Sequence, residues 1–515
     1  MKVRSITYFH AAGSLDEATD IMRTAGRVLA TAKSVVLAAG FEVQTVRAAT
    51  NSFEDFLPAG LPAADAAKAL ARLEAAAEGV DFVSVGPAVA RLDVMELALG
   101  GETQKTFFTV PVALTDAGVP DRARALDAAG VVCRLGAKAP VKTSQVPDLF
   151  RLTVTSNLDA GTPYFPGAFW QKGRAPALAL ALEDSGLVKQ ALAGAASLDD
   201  AKASLRKAFE GRLAPLEAAA ERAAEAAGVE YAGIDCSLAS AANPAESMVD
   251  AYESLGLGGM GGAGTLTISA MITSVLKSLP VRRCGYSGLM MPVTEDAGLA
   301  RRAVEGRLSV QQLLFYSAVC GTGIDTVPVE GSTKPDRLAA VYMDMCSLAF
   351  RLGKPLSARL WPVAGKEEGD MTEVDNPFFV NSRVLSVDPV APRGSAGLGP
   401  SAPQAVHAGL LGAISDGLQP KQATVLADTP EALVLRLDAG AAGIALVLRN
   451  SGACRWPADT RLCRLGEHGE VEEVIMQVPD AQPGESATLV LAETAGRFRL
   501  VSGRAQFGPA LILVT

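Results

Sequence analysis

The chain has 515 residues, of which 49% are hydrophobic and 20% charged, with a formal net charge of −9. This balance predicts a soluble chain with a large core and more than one domain. It argues against nucleic-acid binding, because a phosphate backbone demands a basic face, and no apolar run reaches the ~18–20 residues of a membrane span. With no signal-like leader before the strand-like run at 3–9, we expect a cytoplasmic protein.

The cysteine and histidine contents limit the chemistry. Seven cysteines without a C-x-x-C pair favour reduced thiols over disulfides and disfavour a zinc site. The three histidines are His10, His407 and His468, so a histidine mechanism in the first 400 residues would have to recruit His10. A histidine-rich metal site is excluded.

The first 390 residues alternate between strand-like and helix-like segments. Such alternation predicts parallel strands with helices outside them. The pattern predicts strands at 3–9, 41–46, 82–85, 105–113, 130–135, 150–155, 230–234, 289–293 and 357–363. It predicts helices at 14–40, 64–78, 121–129, 310–319 and 338–352, and a helical stretch at 175–228 that is broken at Gly211 and Pro215.

Polar side chains and glycines follow several of these segments. The strand at 230–234 ends at Asp235, and the strand at 357–363 leads into the charged run 365–371 with Lys366 and Asp370. The run Gly256–Gly264 before Thr265 is equally compatible with an anion-binding nest and with a flexible connector. An aromatic loop at 163–170 predicts either a hydrophobic plug or the wall of a ligand pocket.

The chemistry is expected at two stretches, 284–298 and 320–330. In the first, the strand at 289–293 meets Thr294 as a helix N-cap, with Glu295 and Asp296 in the first helical turn. In the second, Cys320, Thr322 and Asp325 follow an apolar helix. The alternating pattern places both stretches at one strand-end rim.

These stretches carry a resemblance to a known family. The phrases Ser287–Asp296, Cys320–Asp325 and Lys366–Met371 resemble the uncharacterised family called domain of unknown function 711, or UPF0210, over residues 1–390. The resemblance implies a fold similar to the ten-stranded α/β barrel of pyruvate formate-lyase. It implies no settled activity.

The chain departs from the glycyl radical enzymes that share this barrel. They need an R-V-[SA]-G-Y loop, and the nearest string, Arg383–Ser386, lacks the glycine and the tyrosine. We therefore expect no radical chemistry. Gly321 and Gly323 leave Cys320 uncrowded and predict that it is the most reactive thiol of the barrel, although an ordinary core cysteine is an equal alternative.

The composition changes at Asp388. The chain divides into a barrel at 1–388, a Pro/Gly-rich linker at 389–414 and short alternating strands at 415–515, which are typical of an antiparallel β-sandwich. The last region resembles the immunoglobulin-like four-tryptophan (FW) domain of selective-autophagy receptors, although only Trp456 of its tryptophans remains.

We expect the barrel to bind a small anionic metabolite at its rim, with acid/base or thiol chemistry if it is an enzyme. The competing hypothesis is a non-catalytic sensor or scaffold that binds a protein partner through 415–515, or a second copy of itself. The cofactor is open, and no metal is expected. The candidate catalytic residues are Cys320, Asp325, Asp235, Lys366 and Asp370, and the candidate ligand-binding residues are Ser287, Glu295, Asp296, Thr322, Gly262, Gly264 and Thr265.

Overall fold

The computed structural model describes residues 2–138, 148–238 and 242–388 in full, and the backbone of eight strands between Gln422 and Leu513. The chain divides into two compact units, Met1–Pro389 and Val390–Thr515. The predicted linker at 389–414 and Trp456 lie outside the described residues.

A nine-stranded sheet organises the first unit. Its strands lie in the order β7-β6-β1-β2-β3-β4-β5-β9-β8. The strands are β1 Lys2–Phe9, β2 Glu42–Ala49, β3 Phe82–Pro87, β4 Thr106–Pro111, β5 Leu152–Ser156, β6 Ala177–Glu183, β7 Glu230–Asp235, β8 Gly323–Glu330 and β9 Leu356–Val363.

The sheet consists of two parallel halves that run in opposite directions. Strands β1 to β5 are mutually parallel, as are β6 with β7 and β8 with β9. The halves meet in antiparallel pairs, β1 with β6 and β5 with β9. The carboxyl ends of the two sets of strands therefore lie at opposite edges of the sheet, so the nine strands do not share one rim. Strands β7 and β9, which precede Asp235 and Lys366, belong to the same set.

An irregular stretch, residues 282–294, hydrogen-bonds to both edge strands; we call it the linking segment. Its Arg283 and Leu289 form parallel bridges with Ile234 and Leu238, on and just beyond β7. Pro292 forms a parallel bridge with Asp325 of β8. The two edges of the nine-stranded sheet are thus joined through this segment, at the place where the sequence predicts a strand over 289–293.

Helices pack against the sheet and share its hydrophobic core. The first, α1, shows the local logic: the Ser14 side chain accepts a hydrogen bond from the Glu17 amide, and one face of the helix is buried. The helices are α1 Leu15–Ala38, α2 Ala63–Ala76, α3 Leu92–Leu97, α4 Arg122–Lys138, α5 Ser185–Leu192, α6 Leu198–Ala227, α7 Met248–Glu253, α8 Thr265–Lys277, α9 Ala297–Val304, α10 Val310–Tyr316 and α11 Pro335–Arg351.

The sequence patterns misassign three segments. Ala177–Glu183, predicted helical, is strand β6, because all seven of its residues are buried in the sheet and tertiary packing overrides alanine's helix propensity. Residues 130–135, predicted as a strand, continue α4. Helix α6 runs through Gly211 and Pro215 without the predicted break.

The second unit contains two antiparallel four-stranded sheets. Their strands lie in the orders β10-β11-β12-β15 and β14-β13-β16-β17. The strands are β10 Gln422–Leu426, β11 Leu433–Gly440, β12 Gly443–Asn450, β13 Arg461–Leu465, β14 Val471–Gln477, β15 Ser486–Leu491, β16 Gly496–Ser502 and β17 Ala505–Leu513. The short antiparallel strands fall in the region where the sequence predicts them, and their assembly into a sandwich stays a prediction.

In the parts of the chain that the structure describes, none of the helices combines the length and apolar character needed to cross a bilayer.

Candidate functional site

A cavity lies against side chains from seven of the nine strands of the first unit, β1 to β5, β8 and β9. Its volume, counted as the space open to the centre of a water molecule, is about 110 Å³. Counted in the same way, a single water needs roughly 10–15 Å³. The cavity therefore has room for several waters or a small metabolite. The linking segment and an aromatic loop complete the wall.

Arg47 of β2 is the unusual charge in this cavity. The residue is 5% exposed, and its guanidinium carbon lies 5.5 Å from the centre of the Phe82 ring and 5.2 Å from that of Phe165. Its Nε donates to Thr45 Oγ1 at 2.9 Å, and no carboxylate of the described residues forms an ion pair with it. Burial, with the nearby charge of Arg4, lowers the pKa of Arg47 to about 9.

The other charges form an alternating chain of ion pairs. Arg4 of β1 bonds Glu183 at 2.6 Å and Glu295 at 3.1 Å. Arg359 of β9 bonds the second oxygen of Glu295 at 2.9 Å and Asp325 at 2.5 Å. Burial alone would lower the pKa of Arg359, but Asp325 and Glu295 together raise it. The chain Glu183-Arg4-Glu295-Arg359-Asp325 thus links both halves of the sheet.

Asp325 lies at an irregular point of β8. The register between β8 and β9 shifts between Ile324 and Val327, and Thr326 has a φ of 44°. A bulge of this kind turns a side chain away from the regular alternation. Asp325 lines the cavity and is 8% exposed.

Glycines of the two predicted stretches allow the linking segment to reach β8. A Cβ on Gly288 would lie 2.4 Å from the Gly321 Cα, and the Gly321 amide donates to the Leu289 carbonyl at 2.6 Å. At Gly323, with φ of 109°, a Cβ would lie 2.2 Å from the Ser357 carbonyl oxygen. These contacts require glycine, and they place Thr322 and Asp325 in the cavity wall.

Asp235 holds a turn behind the cavity wall. Its carboxylate accepts hydrogen bonds from the amides of Ser237, Tyr286 and Ser287 at 2.8–2.9 Å. Burial raises the pKa of Asp235 to about 6. Ser287, with a φ of 43°, donates to the Cys284 carbonyl. Neither side chain lines the cavity, whereas the Tyr286 between them does.

Asp296, and not Thr294, caps helix α9. Its Oδ1 accepts from the amides of Gly298 and Leu299 and from the Ser247 hydroxyl, and Oδ2 accepts from the Met248 amide. A carboxylate satisfies more helix-end donors than a hydroxyl, which explains the shift of the cap. Asp296 is fully buried in these bonds, so the structure gives it a structural position rather than a ligand-facing one.

Lys366 and Asp370 lie in a surface turn after β9. Lys366 Nζ bonds Glu373 at 2.8 Å, and Asp370 accepts from the Glu367 amide at 2.9 Å. Asp370 is exposed, and neither residue lines the cavity. The predicted convergence of Asp235, Asp325 and Asp370 on one pocket is therefore absent: of the three, Asp325 alone reaches it.

Two further predicted groups also lie outside the lining. Cys320 is 1% exposed, and its sulfur accepts from the Gly323 amide at 3.4 Å, which is the environment of a core cysteine. Thr265 is buried at the start of α8, where its hydroxyl accepts from the Gly261 amide at 3.0 Å. Gly262 and Gly264 belong to the same turn and do not line the cavity.

The aromatic loop forms a wall of the cavity, one of its two predicted roles. Tyr164, Phe165, Pro166 and Gly167 all line it. A Cβ on Gly167 would lie 2.7 Å from the Tyr286 hydroxyl, so the glycine lets the loop approach the linking segment.

Of the predicted residues, the structure brings Glu295, Thr322 and Asp325 together at the cavity. The sequence patterns did not point to three arginines of the lining, Arg4, Arg47 and Arg359. Each stands within a strand of mostly apolar and small residues, and a charge in such a setting is the informative exception to the rule that hydrophobic residues fill the interior. Among the described side chains, no three His, Cys, Asp or Glu residues cluster as a metal site.

Comparison with known proteins identifies the family. Residues 1–375 match the family model described as "Uncharacterised ACR (DUF711)". A UPF0210 protein of Pyrobaculum arsenaticum is 32% identical over 250 residues, which cover 46% of this chain and 54% of that protein. A UPF0210 protein of Lactiplantibacillus plantarum is 27% identical over 316 residues, covering 59% and 68%.

A third relative, the UPF0210 protein of Pelotomaculum thermopropionicum, is 29% identical over 318 residues, covering 58% of this chain and 69% of its own. The chain spans about half the length of the Pyrobaculum relatives it matches. Since the family model covers well over half of the chain, the protein belongs to the DUF711 (UPF0210) family.

Proposed function

We propose that the first unit binds a small anionic metabolite. The ligand would lie in the cavity lined by strand side chains rather than at a rim formed by strand ends. The observation that carries the proposal is Arg47, a buried guanidinium that faces the cavity without a carboxylate partner among the described residues. An unpaired buried charge is costly, so folded proteins rarely keep one without a use.

The geometry around Arg47 suits a carboxylate or a phosphate. The rings of Phe82 and Phe165 lie close to the guanidinium, and Nε is used by Thr45. The two terminal nitrogens are then the donors left for a ligand, and a guanidinium binds planar oxyanions through such a pair. A ligand oxyanion would also form the direct ion pair that Arg47 does not form with the described residues.

A ten-stranded barrel is the architecture that best supports this site. The linking segment joins the two edge strands, and strands from both halves share one cavity. We infer that the nine strands and this segment close into a barrel similar to that of pyruvate formate-lyase, with the ligand in its interior. Since no cysteine belongs to the described cavity lining, chemistry in the site would use Asp325 or Glu295 as acid or base rather than Cys320.

The alternative of a ligand sensor or scaffold depends on the second unit. Its two antiparallel sheets are compatible with an immunoglobulin-like sandwich of the FW type. In that case the barrel would report its ligand to a protein partner, or to a second copy of the chain, through residues 415–515. Turnover of the bound metabolite by the purified full chain would favour the enzyme.

The test of the binding proposal is Arg47→Met in the full chain. We expect the variant to lose binding of small anions by at least about tenfold, because a charge-assisted hydrogen bond contributes roughly 1.5–3 kcal/mol. Thermal shift and titration calorimetry with benzoate, propanoate and inorganic phosphate would measure it.

The stability of the unliganded variant gives a second readout. A buried guanidinium whose partner is a ligand destabilises the unliganded protein, because its desolvation is not offset. Arg47→Met should therefore leave the melting temperature unchanged or raise it. The control is Arg124→Met, which removes a half-buried arginine whose donors are used by backbone carbonyls; it should lower stability and leave binding intact. A destabilised Arg47→Met variant with unchanged binding would show that Arg47 is structural.

A further inference from the structure

The charges of the ion-pair chain and of Arg47 are not evenly placed. The ion-pair chain Glu183-Arg4-Glu295-Arg359-Asp325 holds three carboxylates and two guanidinia, so it carries one excess negative charge. Arg47 carries the compensating positive charge and forms no ion pair with any described residue of the chain. The cavity therefore has Arg47 at one part of its wall and Asp325, the carboxylate end of the ion-pair chain, at another.

Asp325 is the end of that chain that faces the cavity. Its Oδ1 accepts from Arg359 Nε at 2.5 Å, whereas its Oδ2 accepts no hydrogen bond from the described residues. Close in sequence, Thr322 lines the cavity, is 3% exposed, and has a buried hydroxyl without a hydrogen-bond partner in the described structure. A carboxylate oxygen and a hydroxyl at one wall form an acceptor site for a ligand with several N–H donors.

Arg47 and Asp325 belong to distant strands of the sheet and line the same cavity. Arg47 is on β2 and Asp325 on β8, which are five strands apart in the strand order. In the proposed barrel, with the linking segment as the tenth strand, five strands are half the circumference. Ten strands spaced by about 4.8 Å and tilted by about 40° give a backbone diameter of roughly 20 Å, and the two side chains shorten the gap that a ligand would bridge. The cavity wall between the two sites is largely aromatic, with Phe107, Phe150 and Phe379.

From this layout we infer that the ligand is a linear zwitterion, with a carboxylate on Arg47, an apolar middle along the aromatic wall, and a protonated amine on Asp325 Oδ2 and Thr322 Oγ1. The inference rests on the proposed binding of an anion by Arg47 and adds the class of compound. A ligand of this kind matches both polar ends and the apolar wall between them.

Charge balance favours a zwitterion over a simple anion. Within this set of six charges the sum is zero, so a monoanion bound at Arg47 would give the set one net negative charge. A dianionic phosphate would leave two. A zwitterion adds no net charge, and its dipole lies along the direction that separates Arg47 from Asp325. Buried charges are tolerated when they are compensated, which is the condition that this ligand meets.

The test is a length series of amino carboxylates on the full chain. Titration calorimetry would compare β-alanine, 4-aminobutanoate, 5-aminopentanoate, 6-aminohexanoate and 8-aminooctanoate with the matching carboxylates that lack the amine. We expect one length to bind best, and removal of its amine to weaken binding by about tenfold or more. Thr322→Val, which alters neither charge nor shape greatly, should reduce the affinity of the best amino carboxylate and leave that of the plain carboxylate unchanged.

The outcomes separate this inference from the proposed function. If plain carboxylates bind as tightly as amino carboxylates and Arg47→Met abolishes both, the anion site stands and the zwitterion is refuted. If no member of either series binds, and Arg47→Met does not alter the binding of inorganic phosphate, the proposed function fails together with the inference. Asp325→Asn offers a second check, since it should remove the preference for the amine and not the binding of the plain carboxylate.

Discussion

Arg359 offers a quantitative test of the ion-pair chain. It is the partner of Asp325 and one of two partners of Glu295, and its side chain is 14% exposed. Arg359→Met keeps much of the apolar stem and removes the charge. Breaking a buried ion pair by deleting one partner costs roughly 3–5 kcal/mol. Glu295 keeps Arg4, so most of the loss should come from Asp325.

The loss should be larger at neutral pH than in acid. Without Arg359 the buried carboxylate of Asp325 has no cationic partner, and a buried group without a partner is costly chiefly while it is charged.

Urea unfolding at several pH values between 4 and 8, followed by tryptophan fluorescence, would measure the effect on the free energy of unfolding. The control is Arg23→Met, which breaks an ion pair between Arg23 and Asp20. The side chain of Arg23 is 64% exposed and that of Asp20 is 72% exposed. That variant should lose at most about 1 kcal/mol. If Arg359→Met loses no more than the control, or if its loss is the same at pH 4 and pH 8, the ion-pair chain does not stabilise the fold as argued.

Three other predictions concern residues outside the cavity. Asp296→Ala should destabilise the protein by more than the ~1 kcal/mol of an ordinary helix cap, because four buried donors lose their acceptor, while calorimetry should show unchanged ligand binding. Lys366→Ala should change the free energy of unfolding by about 0.5 kcal/mol or less and leave binding intact, since its ion pair lies in a surface turn; a loss of binding would return that turn to the site. Native-state alkylation followed by mass spectrometry should label Cys320 more slowly than Cys133 and Cys284, which are partly exposed, and early labelling of Cys320 would contradict the packing described.

Local patterns were enough to predict much of the fold. Helix α1 and strand β1 follow from the apolar spacing and the Ser14 cap. The sequence also indicated the stretches at 284–298 and 320–330, because their glycines and polar residues are unusual between apolar segments. What periodicity could not show is strand β6, since an alternation of alanine and leucine fits a buried helix and a buried strand equally well.

The site itself depended on contacts that a sequence does not contain. Arg4 and Glu295 are 291 residues apart in the chain and bonded in the structure. Which face of a strand turns inward depends on the register and on the bulge at Thr326. The sequence shows each arginine but not that the arginines cluster in the fold. Lys366 and Asp370, in contrast, are close in sequence but lie in a surface turn.

The antiparallel junction of the two half-sheets has a consequence for how such a protein could be divided or duplicated. Within the charges described, residues 2–156 contribute Arg4 and Arg47, and residues 177–363 contribute three carboxylates and Arg359. Among these charges, the first half carries two positive charges and the second half a net two negative charges. Two copies of the same half would repel each other where the two different halves attract. The interior charges thus favour association of the two different halves over association of two identical ones. The cavity forms only when both halves are present, because both contribute to its lining.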